Sequence, residues 1–342
     1  QVFVELDLRL TGTERFHVQF RPVGRKHTGG SFYQFNRPAG YIDNSTLTPD
    51  RYWFEGEIHS IFGGYLDPFA VADLHFVLGR FPFQLHNNLL MSTDLLGAVV
   101  NKNTIYLGNL SNLNVQLFAA REDIAAFVGA NGYVYGANFT ADYRHVFYEA
   151  TYAFLQHETD DSRDMHFAAV SRVKIYGPWT IAARAMAKVG DRGGTGDGQL
   201  AVLERNRTCV LDHKPCGVET AVWYCNLFYA TDGWRPLSGG GFDRLRSSFE
   251  VNPLVQISAG NSVGDNWGAA LGVQLFRHHE DESIIPEIAV QAPMDELVFG
   301  CGLRYLRKTS ARSFFEVLGI WNFSDDPQFD RQGVFVGETI IF

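Results

Sequence analysis

Val2-Phe3-Val4-Glu5-Leu6-Asp7-Leu8-Arg9-Leu10 is followed, across Thr11-Gly12-Thr13-Glu14, by Arg15-Phe16-His17-Val18-Gln19-Phe20-Arg21. Successive side chains of a β-strand point to opposite faces, so a period of two is the mark of a two-faced sheet. Val2, Val4, Leu6, Leu8 and Leu10 fall on one face, and Glu5, Asp7 and Arg9 on the other. Phe16, Val18 and Phe20 then alternate with Arg15, His17, Gln19 and Arg21. The stretch predicts a hairpin with one apolar and one charged face.

The same rhythm recurs along the chain. Phe54, Ile58 and Phe62 alternate with Glu55, Glu57 and His59. Leu113, Val115 and Leu117 alternate with Asn114 and Gln116, and Tyr148, Tyr152 and Phe154 with Glu149 and Thr151. Phe167, Val173 and Ile175 are read as one face, opposite His166, Arg172 and Lys174. Ile181, Ala183, Ala185 and Val189 lie opposite Arg184 and Lys188. Phe249, Val251, Val255 and Ile257 give a further strand, and Leu297, Phe299, Leu303 and Tyr305 another. Segments 219–229 and 314–323 are assigned as strands on composition and spacing.

Composition agrees with an all-β chain. Among 342 residues there are 34 Gly and 28 Phe, and aromatics make up 14%. The formal charge of −9, without a Lys/Arg run, argues against a nucleic-acid partner. No apolar run reaches the roughly 18 residues of a membrane helix, which leaves a membrane barrel open because its strands expose only alternate residues to lipid. A soluble sandwich would alternate too. Strands of ten or more residues favour the membrane barrel. So do aromatics near strand ends, Tyr52-Trp53, Tyr176 with Trp179, Trp267 and Trp321.

The expected fold is therefore all-β, a transmembrane antiparallel up-and-down β-barrel of about 16–18 strands in a single domain over 1–342. Long loops are expected near 23–50, 84–97, 121–132 and 190–217, on the extracellular side. Short turns at 11–14, 109–112, 177–178 and 308–311 mark the periplasmic side. By this parity the first and last strands both run towards the periplasm, which gives an odd count. An additional N-terminal strand, or one misassigned strand, would restore the usual even number. No signal peptide is visible, which fits one already removed or a chain that begins within a longer protein.

Cys209 and Cys216 are separated by six residues in the segment read as an extracellular loop, and a disulfide there would fit an oxidising compartment. Two unpaired thiols are the alternative. Asp191 and Asp197 form only a partial calcium-loop pattern. Gly193-Gly194 and the glycines 239–241 lack the strand, loop and helix context of a phosphate loop. His17, His59, His75 and His166 show no metal-ligand spacing. No catalytic residue, metal or cofactor is expected.

The terminal run Gly333-Val334-Phe335-Val336-Gly337-Glu338-Thr339-Ile340-Ile341-Phe342 resembles the C-terminal strand of bacterial outer-membrane β-barrel proteins, which ends in an aromatic after alternating apolar residues. Phe342, Ile340, Val336 and Val334 match, and Glu338 departs by placing a carboxylate on the lipid phase. Gly79-Arg80-Phe81-Pro82, followed by Asn87, Asn88, Asp94 and Gly97, resembles the strand and inward loop of alginate-export and phosphate-porin barrels over about 25 residues. The resemblance implies the bacterial outer membrane as location, the lipid bilayer and small polar solutes as partners, and a water-filled porin channel as function. A barrel serving as a structural sheath or anchor around a partner protein, such as an electron carrier, is the alternative. Assembly as a homotrimer or with a partner protein stays open.

The candidate pore lining is Arg15, Arg21, Glu55, Glu57, Arg80, Glu149, Arg172, Lys174, Arg184 and Lys188, with Glu5 and Asp7 as acidic counterparts. The four cations of 165–189 are expected to form one anion-attracting strip. The terminal match makes Phe342 an assembly signal. Deleting Phe342 is expected to lower the amount of folded, heat-modifiable barrel in the outer membrane. Wild-type amounts would count against that role.

Overall fold

The computed structural model describes residues 2–10, 12–23, 32–34, 39–43, 47–67, 71–121, 131–190, 196–238, 265–292, 296–327, 330 and 332–340. Among them, seventeen strands form one sheet and two more a small hairpin. The strands are β1 (Val2–Arg9), β2 (Arg15–Val23), the hairpin pair β3 (Phe32–Gln34) and β4 (Gly40–Ile42), β5 (Pro49–Glu57), β6 (Leu74–Leu85), β7 (Met91–Leu107), β8 (Leu110–Arg121), β9 (Gly132–Tyr143) and β10 (Val146–His157). They continue as β11 (Met165–Tyr176), β12 (Trp179–Val189), β13 (Gly198–Val210), β14 (Val218–Ala230), β15 (Asn266–Arg277), β16 (Glu282–Ala292), β17 (Val298–Ser310), β18 (Ser313–Ser324) and β19 (Gln332–Ile340).

Each strand of the large sheet pairs antiparallel with the next one in the chain, β2 pairing directly with β5, so the topology is up-and-down. Connections alternate in length. Two-residue turns join β7 to β8, β9 to β10, β11 to β12 and β17 to β18, all at one end. β2 ends and β5 begins at the other end, as do β14 and β15. β1 and β19 run in the same direction, as the parity of the sequence requires, and no ladder joins them among the described residues.

The sheet is a β-barrel wall with an apolar outside. Leu203, Leu227, Leu271, Ile288 and Leu303 stand 44–60% exposed near the middle of their strands. Such a continuous exposed belt is what a strand facing hydrocarbon requires and what a water-soluble surface avoids. No helix among the described residues is long and apolar enough to cross a membrane.

Several boundaries differ from the sequence reading. The loop expected at 84–97 is mostly strand, because β6 runs to Leu85 and β7 starts at Met91. The loop expected at 190–217 contains β13, whose alternation of Leu200, Val202 and Glu204 with Ala201, Leu203 and Arg205 was missed. The period-two run through Ile58 and Phe62 ends at Glu57, where Ile58–Phe62 turns into a short helix, α1. β2 ends at Val23 and β5 begins at Pro49, and β8 ends at Arg121 and β9 begins at Gly132. The strand expected over 249–257 and the terminal Phe342 lie outside the described residues.

Glu338 keeps the outward phase of Val334, Val336 and Ile340. It sits at the short-turn end of its strand and accepts a hydrogen bond from the Thr309 hydroxyl at 3.0 Å, out of the hydrocarbon middle where it would cost most. Ile288→Arg, near the middle of β16, is expected to destabilise the barrel by about 2–4 kcal/mol in vesicle-based denaturant unfolding. An unchanged midpoint would mean that this face does not meet lipid.

Candidate functional site

The connection between β6 and β7 does not point away from the wall. Leu85-His86-Asn87-Asn88-Leu89-Leu90-Met91 carries its apolar side chains inward: Leu89, Leu90 and Met91 are at most 1% exposed. They pack in one cluster with Phe83, Phe118, Leu155, Phe167, Met186 and Phe228 from the inner faces of six strands. The segment after β14 enters the same space. Leu237 N–H donates to the Leu90 carbonyl at 2.9 Å, and Ser92 N–H to the Ser238 carbonyl at 3.0 Å. Gly198 makes this approach possible, since a Cβ there would collide with the backbone of Gly233 and Trp234. The long-loop half of this sector of the lumen is thus apolar and filled.

To turn inward, His86, Asn87 and Asn88 all adopt left-handed backbone angles, with φ of 51°, 55° and 67°. Asn tolerates that conformation better than most residues, and His pays a steric cost. Hydrogen bonds to neighbouring strands compensate. Thr151 donates its hydroxyl proton to Asn138 Oδ1 at 2.7 Å, so it can only accept from His86 Nε2 at 2.9 Å. His86 Nδ1 lies 2.6 Å from Ser171 Oγ and 3.7 Å from Glu149 Oε2, and in the neutral ring it accepts from the serine hydroxyl. The backbone N–H of His86 donates to Glu149 Oε1 at 3.1 Å. Both ring contacts are satisfied by a neutral imidazole protonated on Nε2. Burial, and after it the charge of Arg184, push this connection residue down to about 4 and keep it neutral at physiological pH.

Towards the short-turn end lies a cavity of about 370 Å³ lined by Asn87, Glu149, Ser171, Thr180, Arg184, Glu204 and Asn206, with Phe147, Val173 and Ala182. Arg184 NH1 and Glu204 Oε2 face each other at 2.6 Å, both side chains under 10% exposed. Polar pairs continue around the inner wall. Arg15 meets Glu55 at 2.7 Å, and Glu55 also accepts from Trp53 Nε1 at 2.8 Å. Gln19 donates to Glu5 at 2.6 Å, His17 lies 2.8 Å from Asp7, and Arg51 lies 3.0 Å from Asp94. Arg304 pairs with Glu316 at 2.7 Å, and Tyr224 donates to Glu287 at 2.5 Å.

Of the expected lining residues, Arg15, Glu55, Glu57, Glu149, Arg184 and Lys188 share the inward phase. Arg172 and Lys174 do not. On β11 the buried residues are Met165, Phe167, Ala169 and Ser171, which puts Arg172 and Lys174 outside with Val170 and Tyr176. They pair in register with Ala183 and Ile181, which face outward as expected. The four-cation strip is therefore split, two inside and two outside. Of the apolar side chains that suggest the opposite phase for β11, Phe167 packs against the inward connection and Val173 lines the cavity beside it. Arg80 falls on the outward phase of Leu78, and the side chain of Arg21 lies outside the described residues. Trp53, read as an interface aromatic, points inward and stacks on His17 with centroids 3.9 Å apart.

Cys209 and Cys216 carry free thiols. Cys209 is a strand residue of β13, and Cys216 lies in the connection 211–217 at the short-turn end, so the bridge expected in an extracellular loop is not formed here. The residues missed are His86 and Glu204. His86 follows a strand and precedes Asn-Asn, a left-handed turn signal that could have marked it. Glu204 was hidden in a segment read as loop.

No protein-family model matches the chain, and no curated protein matches it. Solved structures do. OccK2 (OpdF) of Pseudomonas aeruginosa in complex with glucuronate matches with a TM-score of 0.57 at 9% identity, over 99% of this chain and 91% of that one. The fold is that of the outer-membrane β-barrels. A BenF-like porin of Pseudomonas fluorescens Pf-5 matches with a TM-score of 0.55 at 12% identity, over 99% and 91% of the two chains. Wzi of Escherichia coli, an outer-membrane carbohydrate-binding β-barrel involved in capsule assembly, matches with a TM-score of 0.55 at 8% identity, over 98% and 76%. At these identities the likeness is one of fold.

The clamp on the inward connection carries a pH dependence. A released His86 titrates near its ordinary 6.5, and the clamped one near 4. The released state therefore binds the extra proton, and clamping weakens as pH falls through that window and changes little below it. Release is expected to grow on the order of 50-fold by about pH 4.5, read as faster amide hydrogen exchange across residues 86–90. His86→Asn should abolish the window; an unaltered pH profile in that variant would assign the titration elsewhere.

Proposed function

We propose that this chain is a channel of a bacterial outer membrane that passes small polar solutes, with the inward connection 86–90 as its constriction. One observation carries the reading: the wall is apolar outside and lined inside by ion pairs and hydrogen-bonding groups, and a connection is built into the lumen and hydrogen-bonded there rather than left outside. Such a wall suits a lumen that holds water and polar cargo.

The cavity beneath the constriction gives the solute its chemistry. Asn87, Ser171, Thr180 and Asn206 offer neutral donors and acceptors beside the Arg184–Glu204 pair and Glu149. Hydroxyl-rich solutes match that mixture better than simple anions, since both exposed-to-cavity acids outweigh the one arginine. Two fold neighbours, one seen with glucuronate and one described as carbohydrate-binding, favour the same direction. The sheath alternative asks for a lumen wide enough for a protein. The packing of Leu89, Leu90, Trp234 and Leu237 occupies that space in this sector and weighs against it.

Purified protein in a planar bilayer is expected to give discrete, salt-dependent conductance steps. Absence of any conductance from correctly folded protein would refute the channel. In the same assay, Arg184→Gln should move the zero-current potential in a salt gradient towards cation preference, because Glu204 and Glu149 then face the cavity without compensation. The shift should grow at low salt, where screening is weaker.

A further inference from the structure

The outward cations have a pattern of their own. Arg172 and Lys174 on β11 and Arg205 and Arg207 on β13 flank the outer face of β12 at its short-turn end. The register sets Lys174 beside Ile181 and Ile181 beside Arg205, and in the next row Tyr176 beside Trp179 and Trp179 beside Arg207. Strands spaced about 4.8 Å apart place the two cationic rows about 10 Å apart, within reach of one small anion held between long side chains. Arg205 lies over the Trp179 ring at 3.8 Å, Arg207 over the same ring at 5.0 Å, and Lys174 over the Tyr176 ring at 5.6 Å. Aromatic faces thus orient three of the four cations along the wall.

None of the four has an acidic partner among the described residues. Besides Trp179, the residues in register beside them on the outer face are Tyr148, Val146, Ala183, Ile181, Cys225 and Trp223, none of them acidic. Glu219, at the end of β14, is taken by Lys214 at 2.8 Å. Cations inside the lumen are treated differently: Arg15, Arg51, Arg184 and Arg304 each have a carboxylate. On a chain of net charge −9, four cations without carboxylate partners on two strands of one outer surface are a concentrated positive site.

We propose that this surface binds the phosphate of an anionic phospholipid in the leaflet that surrounds the short-turn end. The position selects the ligand. The patch is on the lipid side of the wall, at the depth where aromatic girdles and snorkelling cations meet headgroups. Long flexible cations without acids recognise a phosphodiester, and the apolar Ile181, Ala183 and Leu203 beside them accept its acyl chains. The site rests on the membrane-barrel fold and not on the channel reading, and it would hold whether or not the lumen conducts.

Native mass spectrometry of the detergent-solubilised protein with added phosphatidylglycerol or phosphatidylcholine tests it. Wild type should retain phosphatidylglycerol in preference to phosphatidylcholine. The variant R172Q/K174Q/R205Q/R207Q should lose that preference by about tenfold while keeping heat-modifiable migration and any conductance. Should the fourfold variant fail to fold, R172Q/K174Q and R205Q/R207Q are each expected to lose part of the preference. A second readout needs no variant: brominated phosphatidylglycerol should quench tryptophan fluorescence more than brominated phosphatidylcholine at equal mole fraction. Equal retention of both lipids by wild type, or an unchanged preference in folded variants, would overturn the proposal. So would stronger retention of lipopolysaccharide than of phosphatidylglycerol, or a charge-dependent dimer in place of lipid binding.

Discussion

Hydrocarbon offers no partner to a backbone amide. Every strand that crosses a membrane must therefore spend its hydrogen bonds on neighbouring strands, and the rest of this molecule follows from that requirement. It makes the strands long, joins consecutive ones antiparallel through short turns, and divides each strand into a face for lipid and a face for the lumen. The one seam where the requirement is unmet among the described residues lies between β1 and β19, which run the same way. Two arrangements satisfy it there: parallel pairing of the two strands, or an additional antiparallel strand between them. The apolar outward residues of both terminal strands, Leu6 and Leu8 on one and Val334 and Val336 on the other, already keep the lipid phase up to the seam.

Much of this fold was legible because a period of two survives any uncertainty about strand ends. The alternation of Leu6 and Leu8 with Glu5 and Asp7, and of Val115 and Leu117 with Asn114 and Gln116, needs no tertiary information. What alternation cannot supply is which face is outside when both are apolar. On β11, Phe167 and Ala169 pack against an inserted connection while Val170 faces lipid, and hydrophobicity alone does not tell them apart. The cations there gave the wrong sign for the same reason. Arg172 and Lys174 tolerate the outer face because they lie within a few residues of the turn at 177–178, where long side chains reach the interface.

The candidate site was less legible, since it depends on contacts distant in sequence. Glu149 and Arg184 were identified from the polar face of their strands. His86 acquires its meaning only when curvature of the sheet brings β10 and β11 to the connection after β6, 63 and 85 residues away along the chain. Glu204 required recognising a strand in a segment whose glycines and charges read as loop. The cysteines were misplaced by the same error, because a strand residue such as Cys209 has its backbone committed to the ladder with Ala221 and is not free to approach a loop partner.

The two populations of cations obey one electrostatic rule in two solvents. In the narrow lumen a charge is separated from bulk water by protein on most sides, so an unpaired cation would carry a large desolvation cost, and carboxylates stand opposite Arg15, Arg51, Arg184 and Arg304. On the outer wall near the headgroups the compensating charge need not be built into the protein, because the surrounding leaflet can supply it. An acid placed next to Arg172 or Arg205 would have to be buried against hydrocarbon as well, adding a second costly group to neutralise the first. Leaving Arg172, Lys174, Arg205 and Arg207 without protein carboxylates is thus the less costly arrangement, but only if their counter-ion comes from lipid. The lack of acids beside these four cations among the described residues, and the presence of acids opposite the inner ones, follow from the same constraint.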